Sequence, residues 1–170
     1  RFPHGWYRID YVPEGALMDI KQHAFPALIA KRSVPVTGWP MFAIMPPSEA
    51  MPQEIDGVIE CWLKPQGRSR FQDAAHCDFW RADAKGRMFL MRGHQEDSQD
   101  TIPPGTIFDT TLPIWRLGEA LLHASRLARL LGQDESTIAV RMRVLFTGLA
   151  GRVLRPSGNP PSGDFLVGSH

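Results

Sequence analysis

At 170 residues the chain is long enough for one full hydrophobic core and short for two, and its 43% hydrophobic and 22% charged residues exclude a disordered or fibrous class. A net charge of +1 without a basic block gives no whole-chain attraction for nucleic acid or an anionic membrane, and no run approaches the ~20 apolar residues of a spanning helix. Cys61 and Cys77 are too few for a disulfide scaffold and lack CxxC spacing, so a reducing, cytoplasmic setting is expected.

The chain opens on Arg1 and enters an aromatic run at once, which predicts a piece of a longer protein. Residues 6–12 alternate, with Tyr7, Ile9 and Tyr11 on one side and Trp6, Arg8 and Asp10 on the other, and so predict a strand. In residues 14–32, Leu17, Ile20, Ala24 and Leu28 recur at helical spacing, and Pro26 among them predicts a kinked helix or two short ones. VPVTGWPMF punctuates, PPSEAMPQE reads as a loop, GVIECWL at 57–63 reads as a strand, and 64–76 as an exposed loop. Residues 79–82 and 87–92 flank Asp83-Ala84-Lys85-Gly86, a four-residue connection with glycine where a turn needs positive φ, and predict a hairpin. Residues 93–108 are polar and proline-bearing, a long loop.

The stretch 110–154 organises the rest, as a helix feeding a strand. At about 100° per residue, Ile114, Leu117, Leu121, Ala124, Ala128 and Leu131 fall in one apolar sector facing a core, with Arg116, Glu119, His123 and Arg126 opposite, toward water. Thr111 is placed to cap the first turn, Pro113 to be tolerated in it, and Gly132 to take a left-handed C′ position. Gly118 and Ser125 leave a shallow strip beside that sector. After 133–136 the period becomes two: Ile138, Val140, Met142, Val144 and Phe146 face inward, while Arg141, Arg143 and Thr147 face out. Residues 155–170 have the proline, glycine and serine content of a poorly ordered tail.

These elements predict an α+β domain over residues 1–154, with a largely antiparallel sheet packed against one long helix in the C-terminal half and a kinked N-terminal helix.

Candidate chemistry fails on spacing. His76, Cys77, His94, Glu96 and Asp97 are the densest set of metal-ligand types, yet match no ligand signature, and His94, Glu96 and Asp97 read as a solvated loop. Asp56, Glu60 and Lys64 invite comparison with metal-dependent nucleases, but Trp62 stands where the lysine is wanted, two residues after Glu60. Glu119, His123 and Ser125 cannot converge, because Ser125 projects about 120° round the helix from Glu119, so Glu119 and His123 read as a surface ion pair. Most of the tryptophans and methionines read as core; any that converge would line a small-molecule pocket or a subunit patch.

Arg141, Arg143, Arg152 and Arg155 concentrate positive charge, and Arg141 with Arg143 on one strand face suits a phosphate or an acidic partner. Trp115 and Leu122 stand outside the helix's apolar sector, near Gly118, Arg129 and Ser125, which predicts either a contact with a second copy or cover by the loop at 93–108 or the N-terminal helix.

The segments VTGWPMF, DGVIECW, DFWRADAKGRMFLMRGHQED, LPIWRLGEALLHASRLARLLG and FTGLAGRVL together resemble the C-terminal region of bacterial proteins whose N-terminal part is a Schlafen- or AlbA-like DNA-binding domain, labelled transcriptional regulators. The likeness spans most of residues 36–154 and lies in aromatic and apolar positions, so it transfers no functional residue. It implies an effector-sensing or oligomerising module. The expectation is therefore a non-catalytic regulatory domain without a cofactor or metal, taking a small-molecule effector or forming a homodimer. No membrane partner is expected, and nucleic acid only through Arg141 and Arg143. The alternative is a metal-dependent hydrolase or nuclease-like enzyme built on His76, His94 and Glu96.

Overall fold

The computed structural model describes residues 2–32, 36, 40–42, 51–63, 78–134 and 137–156. It has the α+β architecture expected from the sequence, an antiparallel six-stranded sheet with two helices on one face. The strands are β1 (Trp6–Glu14), β2 (Gln53–Ile55), β3 (Val58–Leu63), β4 (Asp78–Ala82), β5 (Met88–Gly93) and β7 (Ala139–Phe146), in the order β2-β3-β4-β5-β1-β7. The helices are α1 (Phe25–Arg32) and α2 (Leu112–Leu131). A separate parallel pair joins β6 (Ile107–Asp109) to β8 (Val153–Arg155). Among the described residues no helix is long and apolar enough to cross a membrane.

Strand alternation sorts the sheet's faces as the sequence predicts. Tyr7, Ile9 and Tyr11 are buried and their β1 neighbours only half so, and along β7 exposed Arg141 and Arg143 alternate with half-buried Val140, Met142, Val144 and Phe146. The expected hairpin forms between β4 and β5. Asp83 accepts the Lys85 and Arg87 amides at 3.0 and 3.2 Å, and Gly86 takes φ 77°, where an added Cβ would also meet Leu131 at 2.5 Å. A second hairpin, β2–β3, turns on Asp56 and Gly57, both at positive φ, so the proline-bearing segment read as loop ends in a strand.

The N-terminal helix breaks before it begins. A 3₁₀ turn, Gln22–Ala24, precedes α1, and Pro26 sits in the first turn of α1, where its missing N–H costs no helical bond. Residues 107–109 and 153–155, read as loop and as the end of the domain with the start of its tail, pair instead as β6 and β8. Residues 157–170 lie outside the described residues.

The largest correction concerns the rotation of α2. Ile114 and Leu121, expected in the core, are 70% and 59% exposed. Arg116, Glu119 and His123, expected in water, are buried with Ala120, Ala124, Leu127, Ala128 and Leu131. Two features permit it. Alanines at 120, 124 and 128 let the helix lie close to the sheet, and each buried polar group has a partner (below). The caps differ too: the Thr111 hydroxyl makes no capping bond, and Asp109 Oδ1 accepts the Thr111 amide at 2.8 Å. Gly132 is extended rather than left-handed, and a Cβ there would press on the Ile138 Cδ1 methyl at 2.9 Å.

Candidate functional site

At the N-terminal end of α2 the sheet's inner face becomes polar. Register sets Tyr7 of β1 beside Arg92 of β5, and Arg92 beside Asp78 of β4, so three neighbouring strands present hydrogen-bonding groups toward the helix. Arg92 and Asp78 form a buried ion pair at 2.9 Å, and Arg92 Nη2 also donates to the carbonyls of Pro40 and Met41. Burial opposes the Arg92 charge, but Asp78, Tyr7 and Glu119 outweigh it and raise its pKa above the ordinary value. From α2, Arg116 meets Glu119 at 3.2 Å, both buried.

One turn further along α2, the Tyr11 hydroxyl is hydrogen-bonded to His123 Nδ1, while Nε2 lies 3.4 Å from the Ile29 carbonyl. A carbonyl only accepts, so Nε2 carries the proton and bare Nδ1 accepts from Tyr11. Burial pushes the His123 pKa down to about 4 and the Tyr11 pKa well up. His123 is therefore a neutral tie between α2, β1 and α1, not the surface ion-pair partner expected for Glu119.

Beside this network, at the start of α2, lies a shallow indentation with room for about one water molecule. Tyr7, His94, Phe108 and Phe146 wall it with ring centroids 5.6 to 6.5 Å apart, and Pro113 and Arg116 close one side. His94, Glu96 and Asp97 are not a solvated loop; all three are buried. His94 Nε2 donates to the Thr147 carbonyl at 2.8 Å, and Glu96 accepts the Asp109 amide at 2.9 Å. Asp97 takes both terminal nitrogens of Arg152, at 2.7 and 2.6 Å. Burial would raise the Asp97 carboxyl, but Arg152 and the Gly105 amide outweigh it and hold it below its ordinary pKa. These groups are spent on their own backbone and on one another. Among the described residues no three His, Cys, Asp or Glu are grouped to hold a metal. His76 and Cys77, from the expected ligand set, and Lys64, Trp39 and Met45 lie outside the described residues.

Burial, then the nearby Asp78 charge, push the Cys61 thiol up to about 11, so the thiolate nucleophile is suppressed. Glu60 meets Arg81 at 2.8 Å.

The other expected contact residues separate onto opposite sides of the sheet. Arg141 and Arg143 point away from the helices, paired with Glu14 and with Asp10, and both are exposed. Arg152 does not join them, being buried against Asp97. On the outer side of α2, Trp115 and Leu122 are joined by Ile114 and Leu121, so that four large apolar side chains face outward. What sequence reasoning missed is the buried quartet Asp78, Arg92, Arg116 and Glu119. Its one visible signal was the i,i+3 spacing of Arg116 and Glu119, which serves a surface pair equally well. Compared with protein-family models, curated proteins and solved structures, the chain has no match.

Proposed function

We propose that this chain is a non-catalytic regulatory module of a bacterial transcriptional regulator, and that it self-associates through the outer face of α2. The observation that carries the reading is the layout of that face. Ile114 and Trp115 lie one side of Gly118, Leu121 and Leu122 the other, with exposures of 70%, 36%, 59% and 48%. The set is symmetric about Gly118, so an antiparallel copy related by a two-fold axis at Gly118 sets Ile114 against Leu122 and Trp115 against Leu121. Among the described residues, and apart from the helix's own backbone, no atom lies within 4 Å of where a Gly118 Cβ would stand, which leaves room for a second backbone to come close. A self-complementary apolar patch of this kind is what an isologous interface requires.

The non-catalytic half of the reading is supported by how the candidate groups are used: His94, Glu96, Asp97 and His123 are each committed to internal hydrogen bonds. Light scattering across the micromolar range is expected to give a dimer, and Leu122→Glu a monomer with an unchanged melting curve. A monomer in the unsubstituted chain would overturn the self-association. Stoichiometric zinc or manganese, lost in His94→Ala, would overturn the non-catalytic reading.

A further inference from the structure

The face of the sheet turned away from the helices carries a second, independent arrangement. Register aligns Trp62, Phe79, Met91, Arg8 and Leu145 in one row across five strands, and Glu60, Arg81, Phe89, Asp10 and Arg143 in the next. The rings form a continuous track: Trp62 to Phe79 is 5.0 Å between centroids, Phe79 to Phe89 6.0 Å, and the Arg8 guanidinium stands 5.6 Å from the Phe89 ring. Charges flank the track in pairs, Arg81 with Glu60 at 2.8 Å, Arg8 with Asp10 at 2.7 Å and Arg143 with Asp10 at 3.2 Å. Among the described residues both helices pack on the opposite face, with Ile9, Trp80 and Leu90.

We propose that this face is a stacking platform for single-stranded nucleic acid. Bases lie against the rings of Trp62, Phe79 and Phe89, and phosphates turn toward Arg8, Arg81 and Arg143. The carboxylates of Asp10 and Glu60 accept from base N–H groups, as carboxylates do from cytosine.

A dry protein interface is the poorer fit. Its centre would have to desolvate three ion pairs placed among the rings, whereas interface cores are depleted in charge. Nucleic-acid interfaces are wet and polar, and a ring face accepts any base. A ring face accepts a base from either kind of strand, so DNA and RNA strands are bound alike. With three arginines reaching phosphate, the log–log salt slope is expected to be no steeper than about −2. The proposal concerns the side of the sheet opposite α2, so it stands or falls separately from the self-association.

The test is fluorescence anisotropy of the full chain with labelled twelve-nucleotide oligo-dT and oligo-U at about 50 mM salt, where the electrostatic contribution is strong. Micromolar binding of both is expected. The double variant Phe79→Leu with Phe89→Leu keeps the apolar bulk but not the ring faces, and is expected to weaken binding at least tenfold with an unchanged melting curve. Arg81→Ala with Arg143→Ala is expected to flatten the salt slope. Any of three results overturns the proposal: no anisotropy change at 100 μM chain, affinity untouched by the leucine pair, or displacement by inorganic polyphosphate as effective as by unlabelled oligonucleotide. A dimer broken by Phe89→Leu, in a chain that ignores both oligonucleotides, would give the face to a second copy and overturn it as well.

Discussion

The two faces of the sheet handle charge in opposite ways. On the inner face Asp78, Arg92, Arg116 and Glu119 are buried with the core, whereas on the outer face Arg81 and Arg143 are exposed and Arg8 and Asp10 half-buried, like the rings beside them. Both faces pair their charges, so pairing alone does not separate them. The difference is the cost of losing a partner. An inner charge left alone has no water to replace the missing group, while an outer one is rehydrated at once.

The sharpest way to break this comparison is to remove one inner partner. Glu119→Ala leaves Arg116 buried without its 3.2 Å carboxylate and is expected to lower stability by about 3–5 kcal/mol, measured by urea unfolding. The double replacement Arg116→Met with Glu119→Leu is expected to cost less than Glu119→Ala alone, because neither member of that pair is left buried without its partner. A double variant no better than the single would break the comparison.

A second test uses pH instead of substitution. His123 is held neutral in the fold at a pKa of about 4, and its ordinary value is 6.5. The unfolded chain therefore takes up a proton that the folded chain refuses. Stability from this site is full above pH 6.5 and is lost as pH falls through the window from 6.5 to 4, by about 3 kcal/mol in all. His123→Gln should flatten that part of the pH profile, and an unchanged slope would assign it to other groups.

The smallest effect belongs to the outer face. Arg143→Ala removes an exposed ion pair with Asp10 and is expected to change stability by less than about 1 kcal/mol in the same urea assay. A loss comparable to that of Glu119→Ala would erase the distinction between the faces.

How far the sequence revealed these faces depended on the period involved. In β1 and β7 a run of alternating residues admits only two choices, and burying Arg141 and Arg143 is the wrong one, so register was legible. In α2 the limits were legible from Thr111, Pro113 and Gly132, but the rotation was not. Ile114, Leu117 and Leu121 made a plausible core sector, and only knowledge of Tyr11, reached 112 residues away, shows why His123 turns inward. The alanine row at 120, 124 and 128 was the overlooked local signal. The Asp56-Gly57 turn was likewise there to be read. The ring track required the pairing of β3, β4 and β5 in register, and the β6–β8 pair joins segments whose partnership no local pattern announces.

The place of β1 in the sheet also sets a timetable. β1, the earliest of the sheet's strands in this sequence, lies between β5 and β7, and its final hydrogen-bonding partner begins only at Ala139. Arg152 then closes the arrangement by donating to the His4 carbonyl across 148 positions of chain. At the roughly 5–20 residues per second of synthesis, β1 waits on the order of ten seconds for β7. Contacts of such long separation also slow refolding, because loop closure must be completed before they stabilise anything. During that interval one edge of β1 is open, and until α2 is made the Arg92–Asp78 pair lacks the helix that covers it. A chain interrupted before Ala139 is thus expected to be a client for chaperones rather than a smaller folded domain.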